Sequence, residues 1–221
     1  MPGRLDLIIG CMFAGKTSEF ISRYRKYKRI GKDIFVINHT ADTRYGKGVV
    51  SSHDRDRVKC KSVSNLNELS DYKCYIDADI VMIDEAQFFV DLVDFVSYGM
   101  DIHNKHFIVS GLSGDCYRRP FGEILNLIPL CSNIIHLKAV CSICNERDAI
   151  YSMRLSDDKC QLVVGNEDKY IPVCEEHYKI KYFREDKNSE DTETATTSTI
   201  KRVKSSGSVG DAGSGWMLCG C

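Results

Sequence analysis

The stretch Gly10-Cys11-Met12-Phe13-Ala14-Gly15-Lys16-Thr17 constrains the fold of this chain more than any other. It has the pattern G-x-x-x-x-G-K-T, directly after the apolar run Leu5-Asp6-Leu7-Ile8-Ile9 and directly before a helical pattern. A strand, a glycine-rich turn and a helix in that order wrap backbone N–H groups around a phosphate. The helix N-terminus adds its dipole, Lys16 reaches the outer phosphates, and the Thr17 hydroxyl is placed to take Mg²⁺. The motif therefore predicts an α/β sheet and a nucleoside triphosphate as ligand.

The rest of the chain agrees. Further strand candidates are Asp33–Asn38, Asp79–Asp84, His106–Gly111 and Ile134–Ala139, and with Leu5–Ile9 they form near-continuous apolar runs. Strands buried on both faces of a parallel sheet have this look. Between them, Ser18–Ile30 places Phe20, Tyr24 and Tyr27 at helical spacing, and Phe88–Asn104 does the same with Leu92, Phe95, Val96 and Met100. Phe121–Ile128 is a shorter helix candidate. The polar stretch His39–Asp56 is longer than a simple connection needs, as binding loops often are.

After residue 140 the pattern changes. Cys141-Ser142-Ile143-Cys144 and Cys174-Glu175-Glu176-His177 have metal-ligand spacing, and they flank Ala149–Leu155 and Cys160–Val164, which alternate like a hairpin. A Cys₃His set suits tetrahedral zinc with no open position, hence a structural ion. The alternative is four buried residues without a metal. From Glu185 onward the Ser-, Thr-, Gly- and Glu-rich text cannot bury enough surface to order itself, so a disordered tail is expected over 185–221.

Composition excludes some function classes. With 221 residues, 43% of them hydrophobic, the chain supports one good core and a small satellite. A net charge of −1 disfavours a nucleic-acid backbone as the main partner. No run approaches the ~20 apolar residues of a membrane span, and Leu5–Ile9 follows no signal-peptide pattern. Eleven cysteines, an odd number, fit a reducing compartment better than a disulfide framework. A cytoplasmic protein is expected.

A second motif is Val81-Met82-Ile83-Asp84-Glu85-Ala86-Gln87-Phe88-Phe89. An apolar strand ending in Asp-Glu delivers two carboxylates to the end of the sheet where ligands bind. Asp84 fits the role of holding Mg²⁺, which leaves Glu85 as a base towards an attacking hydroxyl or water. Helicases share these two motifs, but they need a second motor domain for which this chain has no room. The basic run Arg23, Arg25, Lys26, Lys28 and Arg29 reads as the solvated face of the first helix.

The remaining motifs occur together and in order. They are Asp42-Thr43-Arg44-Tyr45, Ser52-His53-Asp54-Arg55, the Asp-Glu-x-Gln-Phe-Phe segment, Pro120-Phe121-Gly122 through Leu130, Ala139-Val140-Cys141-x-x-Cys144 and Asp168-Lys169-Tyr170. Over roughly residues 4–183 the chain resembles the cellular-type (type II), zinc-containing thymidine kinases. The resemblance implies a P-loop (RecA-like) α/β fold, a mostly parallel sheet with helices on both faces plus a small zinc-binding lasso subdomain. It divides the chain into a kinase domain over 1–139, the zinc subdomain over 140–184 and the tail.

By the same resemblance, ATP is held by Gly10–Thr17 with Asp42, Thr43, Arg44, Asp84, Glu85, Ala86 and Gln87. Arg44 and Lys16 stabilise charge on the transferred phosphoryl group, Glu85 accepts the proton of the thymidine 5′-hydroxyl, and Gln87 supports that carboxylate. Met12 and Phe88 line the base pocket, Cys116 stands at its edge, and Gln161, Leu162, Val163, Val164 and Gly165 with Tyr170 fold over the thymine, contacting it largely through backbone groups. Cys141, Cys144, Cys174 and His177 hold zinc; Thr17 and Asp84 hold Mg²⁺. Feedback inhibition by dTTP and a homotetramer are implied as well, with no nucleic-acid or membrane partner.

The chain departs from the family pattern at Cys11, Ala14, Cys116 and His177. Cys116 stands where the family has a phenylalanine on the base, so either Tyr117 takes over that task or the pocket is looser. A deoxynucleoside kinase of broader range is accordingly a second reading. A nucleic-acid-stimulated P-loop ATPase and a silent nucleotide-binding module are others; strand-stimulated hydrolysis without nucleoside would mark the former. The ending Cys219-Gly220-Cys221 resembles doubly prenylated Rab-type termini, but the tail has few basic residues to supply a second membrane signal.

Overall fold

The computed structural model describes residues 2–42, 46, 48–52, 56–156 and 169–183. In chain order these form β1 (Arg4–Gly10), α1 (Lys16–Arg29), β2 (Ile34–His39), β3 (Val49–Ser51), β4 (Arg57–Lys59), β5 (Lys61–Val63), α2 (Lys73–Asp77), β6 (Ile80–Ile83), α3 (Leu92–Asp101) and β7 (His106–Leu112). They continue with β8 (Asn133–Leu137), β9 (Ala139–Val140), β10 (Asp148–Ala149), β11 (Tyr151–Arg154), β12 (Tyr170–Val173) and α4 (Glu175–Phe183).

Six strands pair into one sheet in the order β5-β2-β6-β7-β1-β8, every pair parallel. All five expected strands are in it. Successive side chains of a strand alternate between faces, and the core divides accordingly. Leu5, Leu7 and Ile9 of β1, with Phe35 and Ile37 of β2, pack under α3 with its Leu92, Phe95 and Val96. Ile8, Val36, Met82 and Ile108 pack on the opposite face against Phe20, Ile21, Tyr24 and Tyr27 of α1. Helices thus cover both faces, as expected of this fold class.

Several local expectations change. The sixth strand, Lys61-Ser62-Val63, is too short and polar to show as a period. The polar stretch after β2 contains β3, which pairs antiparallel with β4. The helix expected from Phe88 begins at Leu92, because residues 86–88 form a separate 3-10 turn. Phe121–Ile128 is no α-helix: Gly122 has φ +60°, and a 3-10 segment over Ile124–Leu130 contains Pro129. Of the basic run on α1, Arg23 is drawn inward to Asp6 at 3.0 Å, while Arg25 pairs with Asp56 at the surface.

The region after β8 builds its own small core from Cys141, Ala149, Met153, Ile171, Val173, Cys174 and Tyr178. Here β11 pairs antiparallel with β12, Arg154 opposite Tyr170. The partner of the Ala149–Leu155 stretch is therefore 170–173, whereas Cys160–Val164 lies outside the described residues. So does the tail with Cys219 and Cys221. Among the described residues no helix is long and apolar enough to cross a membrane.

Candidate active site

The P-loop leaves β1 at Gly10 and enters α1 through Gly15, whose φ of +81° places it in the left-handed region where glycine is unstrained. Lys16 is buried, and its Nζ donates to the Cys11 carbonyl at 2.7 Å. The ammonium is thereby held within the loop. Thr17 follows on the first turn of α1, partly buried. The loop is also braced from far away in the chain. The Met12 N–H donates to Ser152 Oγ at 2.9 Å, and the Cys11 thiol donates to the Ala149 carbonyl at 3.3 Å. Burial pushes the Cys11 thiol above its ordinary range, which keeps it a neutral donor.

Asp84 and Glu85 follow the carboxyl end of β6. One strand, β7, separates β6 from β1, so the carboxylates and the P-loop stand about 10 Å apart, two strand spacings. Both carboxylate residues are buried. Glu85 has φ +50°, a left-handed conformation that costs a non-glycine residue energy and persists only when its surroundings enforce it. Gln87 holds its carboxylate. Its Nε2 donates to Glu85 Oε2 at 2.6 Å while its Oε1 accepts from the Leu112 N–H at 3.0 Å. A Cβ on Gly111 would lie 2.5 Å from Gln87 Oε1, and one on Gly122 would lie 2.1 Å from the Gln87 carbonyl. Two glycines therefore leave room for this amide and its backbone.

Asp42 sits beyond the end of β2, where the buried Asn38 donates from Nδ2 to its Oδ2 at 3.0 Å. Its N–H also donates to the His39 carbonyl. Thr43 and Arg44 lie outside the described residues, as do His53, Asp54, Arg55, Gln161, Leu162, Val163, Val164, Gly165 and Asp168.

Among the residues expected at the base, the Phe88 ring meets Phe121 edge-on at 5.6 Å and His39 at 5.5 Å. Burial lowers the pKa of His39, favouring the neutral ring, and its Nδ1 accepts from the Ala41 N–H. Cys116 and Tyr170 are both buried and are joined through Arg154. This guanidinium donates to the Tyr170 hydroxyl from Nε at 3.0 Å and from a terminal nitrogen at 2.7 Å. It also acts electrostatically on the Cys116 thiol, whose pKa burial raises. Tyr117 packs elsewhere: its ring contacts Tyr182 at 6.0 Å, and the Arg119 guanidinium lies over it at 4.9 Å.

The ligand atoms of Cys141, Cys144, Cys174 and His177 all lie within 4.8 Å of one another. His177 Nδ1 is 3.2 Å from Cys174 Sγ and 3.5 Å from Cys141 Sγ. Backbone N–H groups of Arg147 and Glu146 hold the Cys144 thiol down to about 6, towards the thiolate that binds metal. Zinc–sulfur bonds of ~2.3 Å span a tetrahedron of about this size, and four protein donors leave no place for a reactive water. The set fits structural zinc. His177 lies in α4, and the next residue, Tyr178, donates its hydroxyl to the Cys116 carbonyl at 2.8 Å.

Four contributors escaped the motif reading, Asn38, Ser152, Arg154 and Tyr178, and Phe121 stood within a motif without a role. Ser152 and Arg154 are two apart on β11 and share a face. A buried arginine in register with a serine on a short alternating strand is the one signal that could have found them. The others are visible only once the chain is folded.

A P-loop on a parallel strand, a buried carboxylate pair at the end of the next strand but one and a closed Cys₃His cluster fit a nucleotide-dependent kinase built on an α/β sheet. The comparisons with known proteins agree with that class. The family described as thymidine kinase matches residues 3–178. The thymidine kinase of Yaba monkey tumor virus is 41% identical over 183 residues, covering 82% of this chain and 96% of that protein. Human cytosolic thymidine kinase is 36% identical over 182 residues, 82% of this chain and 74% of that protein. Thymidine kinase a of Arabidopsis thaliana is 34% identical over 179 residues, 80% and 75% respectively. The chain belongs to the thymidine kinase family.

Proposed function

We propose that this chain transfers the γ-phosphate of ATP to the 5′-hydroxyl of thymidine, giving dTMP and ADP, with Glu85 as the base. The observation that carries the residue assignment is the strained, buried Glu85 carboxylate held by Gln87, which is itself held by the Leu112 N–H. A carboxylate fixed in this way is oriented before substrate arrives.

The phosphoryl-transfer transition state is loose, so positioning and charge neutralisation supply most of the rate. Backbone N–H groups of Gly10–Thr17 cradle the phosphates, and Lys16 neutralises their outer oxygens. Asp42, beyond the end of β2, contributes with Thr43 and Arg44, Arg44 stabilising charge on the transferred group. Thr17 and Asp84 are the residues that would hold Mg²⁺, which when bound offsets phosphate charge. As the bond from the thymidine 5′-oxygen to the γ-phosphorus forms, the bridging bond to ADP breaks and the hydroxyl proton passes to Glu85. Ala86 and Gln87 support that carboxylate.

Met12, Phe88, Cys116 and Tyr170 line the base pocket, with the 161–165 segment folding over the thymine. Phe121 backs Phe88, and Arg154 holds Tyr170. Zinc on Cys141, Cys144, Cys174 and His177 would tether the lasso from a unit spanning 140–184, beside the kinase unit of 1–139. Inhibition by dTTP, a homotetramer and a cytoplasmic location complete the proposal.

The test is product identification. Incubating the purified chain with ATP, Mg²⁺ and thymidine should give a nucleoside monophosphate whose phosphorus couples to the 5′-methylene protons by NMR. A 3′-phosphate, or inorganic phosphate alone, would refute the proposal.

A further inference from the structure

The segment carrying Cys116 is a tight loop closed at its base by one carboxylate. Asp115 Oδ1 accepts from the N–H groups of Tyr117 and Arg119 at 2.8 and 2.9 Å, and Oδ2 accepts from Arg119 Nε at 3.0 Å. The Asp115 N–H returns to the Arg119 carbonyl at 2.9 Å, and Arg118 takes a φ of +63° to complete the turn. Asp115 fixes the shape of this loop. It does not by itself fix the loop's place relative to the zinc cluster.

Tyr178 supplies that second constraint. Its side chain is buried, and its hydroxyl donates to the Cys116 carbonyl at 2.8 Å across 62 positions of sequence. The ring is fixed by three neighbours: Tyr151 at 4.9 Å, Tyr182 at 4.6 Å, and the Arg118 guanidinium at 4.9 Å over its face. Its backbone is set by α4, whose first turn carries His177 and follows Cys174 directly. The chain of contacts therefore runs from two zinc-ligand positions through one helical turn and one phenol to the backbone of a base-pocket residue.

We propose that Tyr178 is a positioning residue for the nucleoside pocket, setting the Cys116 segment against the base and so making thymidine affinity depend on the Cys₃His cluster. The inference rests on the assignment of Cys116 to the base pocket. It goes beyond tethering of the lasso, because it gives the cluster a second route to the nucleoside through the Cys116 segment. A shift of a few tenths of an ångström in that segment alters contacts with the base while the phosphate cradle keeps its own bonds.

The experiment compares the zinc-loaded enzyme with Tyr178→Phe, which keeps the ring and deletes only the donor. Thymidine KM should rise about tenfold, the size expected for one buried hydrogen bond. ATP KM should stay within about twofold, with zinc content and melting midpoint close to those of the unaltered enzyme. A thymidine KM that does not move, or a rise shared equally by ATP, overturns the proposal.

A second arm needs no variant. Graded removal of zinc from the intact enzyme by a chelator should lower thymidine binding in step with the zinc released. Thymidine affinity independent of zinc content counts against the proposal. An unaltered enzyme that fails to phosphorylate thymidine would instead sink the function itself, so the two failures are distinguishable.

Discussion

The phosphate half and the nucleoside half of this site are built in different ways. In the proposed assignment residues 10–17 and 84–87, two short runs each at the end of one strand, supply most of the phosphate cradle and the carboxylate pair. The proposed nucleoside half draws Met12, Phe88, Cys116, Arg154 and Tyr170 from separate parts of the chain. Its bonds span 16 positions for Arg154 to Tyr170 and 62 for Tyr178 to Cys116, and the bond from Met12 to Ser152 that joins the halves spans 140. Phosphate is recognised largely by backbone N–H groups at a helix start, which a local motif can specify. A base needs a pocket with walls on several sides, and walls come from tertiary structure.

Perturbing each half separately would sharpen that contrast. The largest effect is expected from Glu85→Gln, which keeps the shape and removes the base. Steady-state turnover should fall roughly a thousandfold, within the range for general-base loss, with both ligands still bound on titration. Lys16→Ala should lower kcat/KM for ATP by about tenfold to a hundredfold, as loss of a charge-assisted contact does, with thymidine KM unchanged. Gln87→Leu should cost about tenfold in kcat with little change in either KM, because the carboxylate remains but loses its orientation.

Ser152→Ala crosses the boundary between the halves. It removes the acceptor for the Met12 N–H, so a severalfold loss is expected in kcat/KM for ATP and for thymidine together. An effect on only one of them would place the boundary elsewhere.

Asp6 offers a control at the opposite end of β1. Burial alone would raise its pKa, but bonds from His106 and Arg4 prevail and hold it down to about 2, below its ordinary 3.8. The ionised form is favoured in the folded state, so its contribution is fully present above about pH 4 and lost as pH falls towards 2. Acid unfolding followed by circular dichroism should flatten over that window in Asp6→Asn, while both KM values at neutral pH stay put.

Legibility in the sequence follows the same division. The five main strands, the P-loop, the Asp84-Glu85 pair and the Cys₃His spacing all depend on neighbours in the chain, and each can be read from it. Even the link from Gln87 to Glu85 is local, two residues apart. Lys61–Val63 could not be read as a strand, because only the register with β2 makes it one. The strand Tyr170–Val173 was hidden for a related reason: Pro172 within it argues against a strand, yet it pairs with Ser152 in a two-stranded ribbon. Arg154 stands in no motif, and only folding buries it against Tyr170.

The central claim is that the two halves join to phosphorylate thymidine, and a coupled ADP-release assay tests it most directly. ATP and Mg²⁺ would be offered with thymidine, deoxyuridine, deoxycytidine or deoxyadenosine, and separately with single-stranded DNA. The account predicts release with thymidine and deoxyuridine alone. Release with deoxycytidine or deoxyadenosine would mean that Cys116 leaves a looser base pocket. Release stimulated by DNA and by no nucleoside would contradict the account.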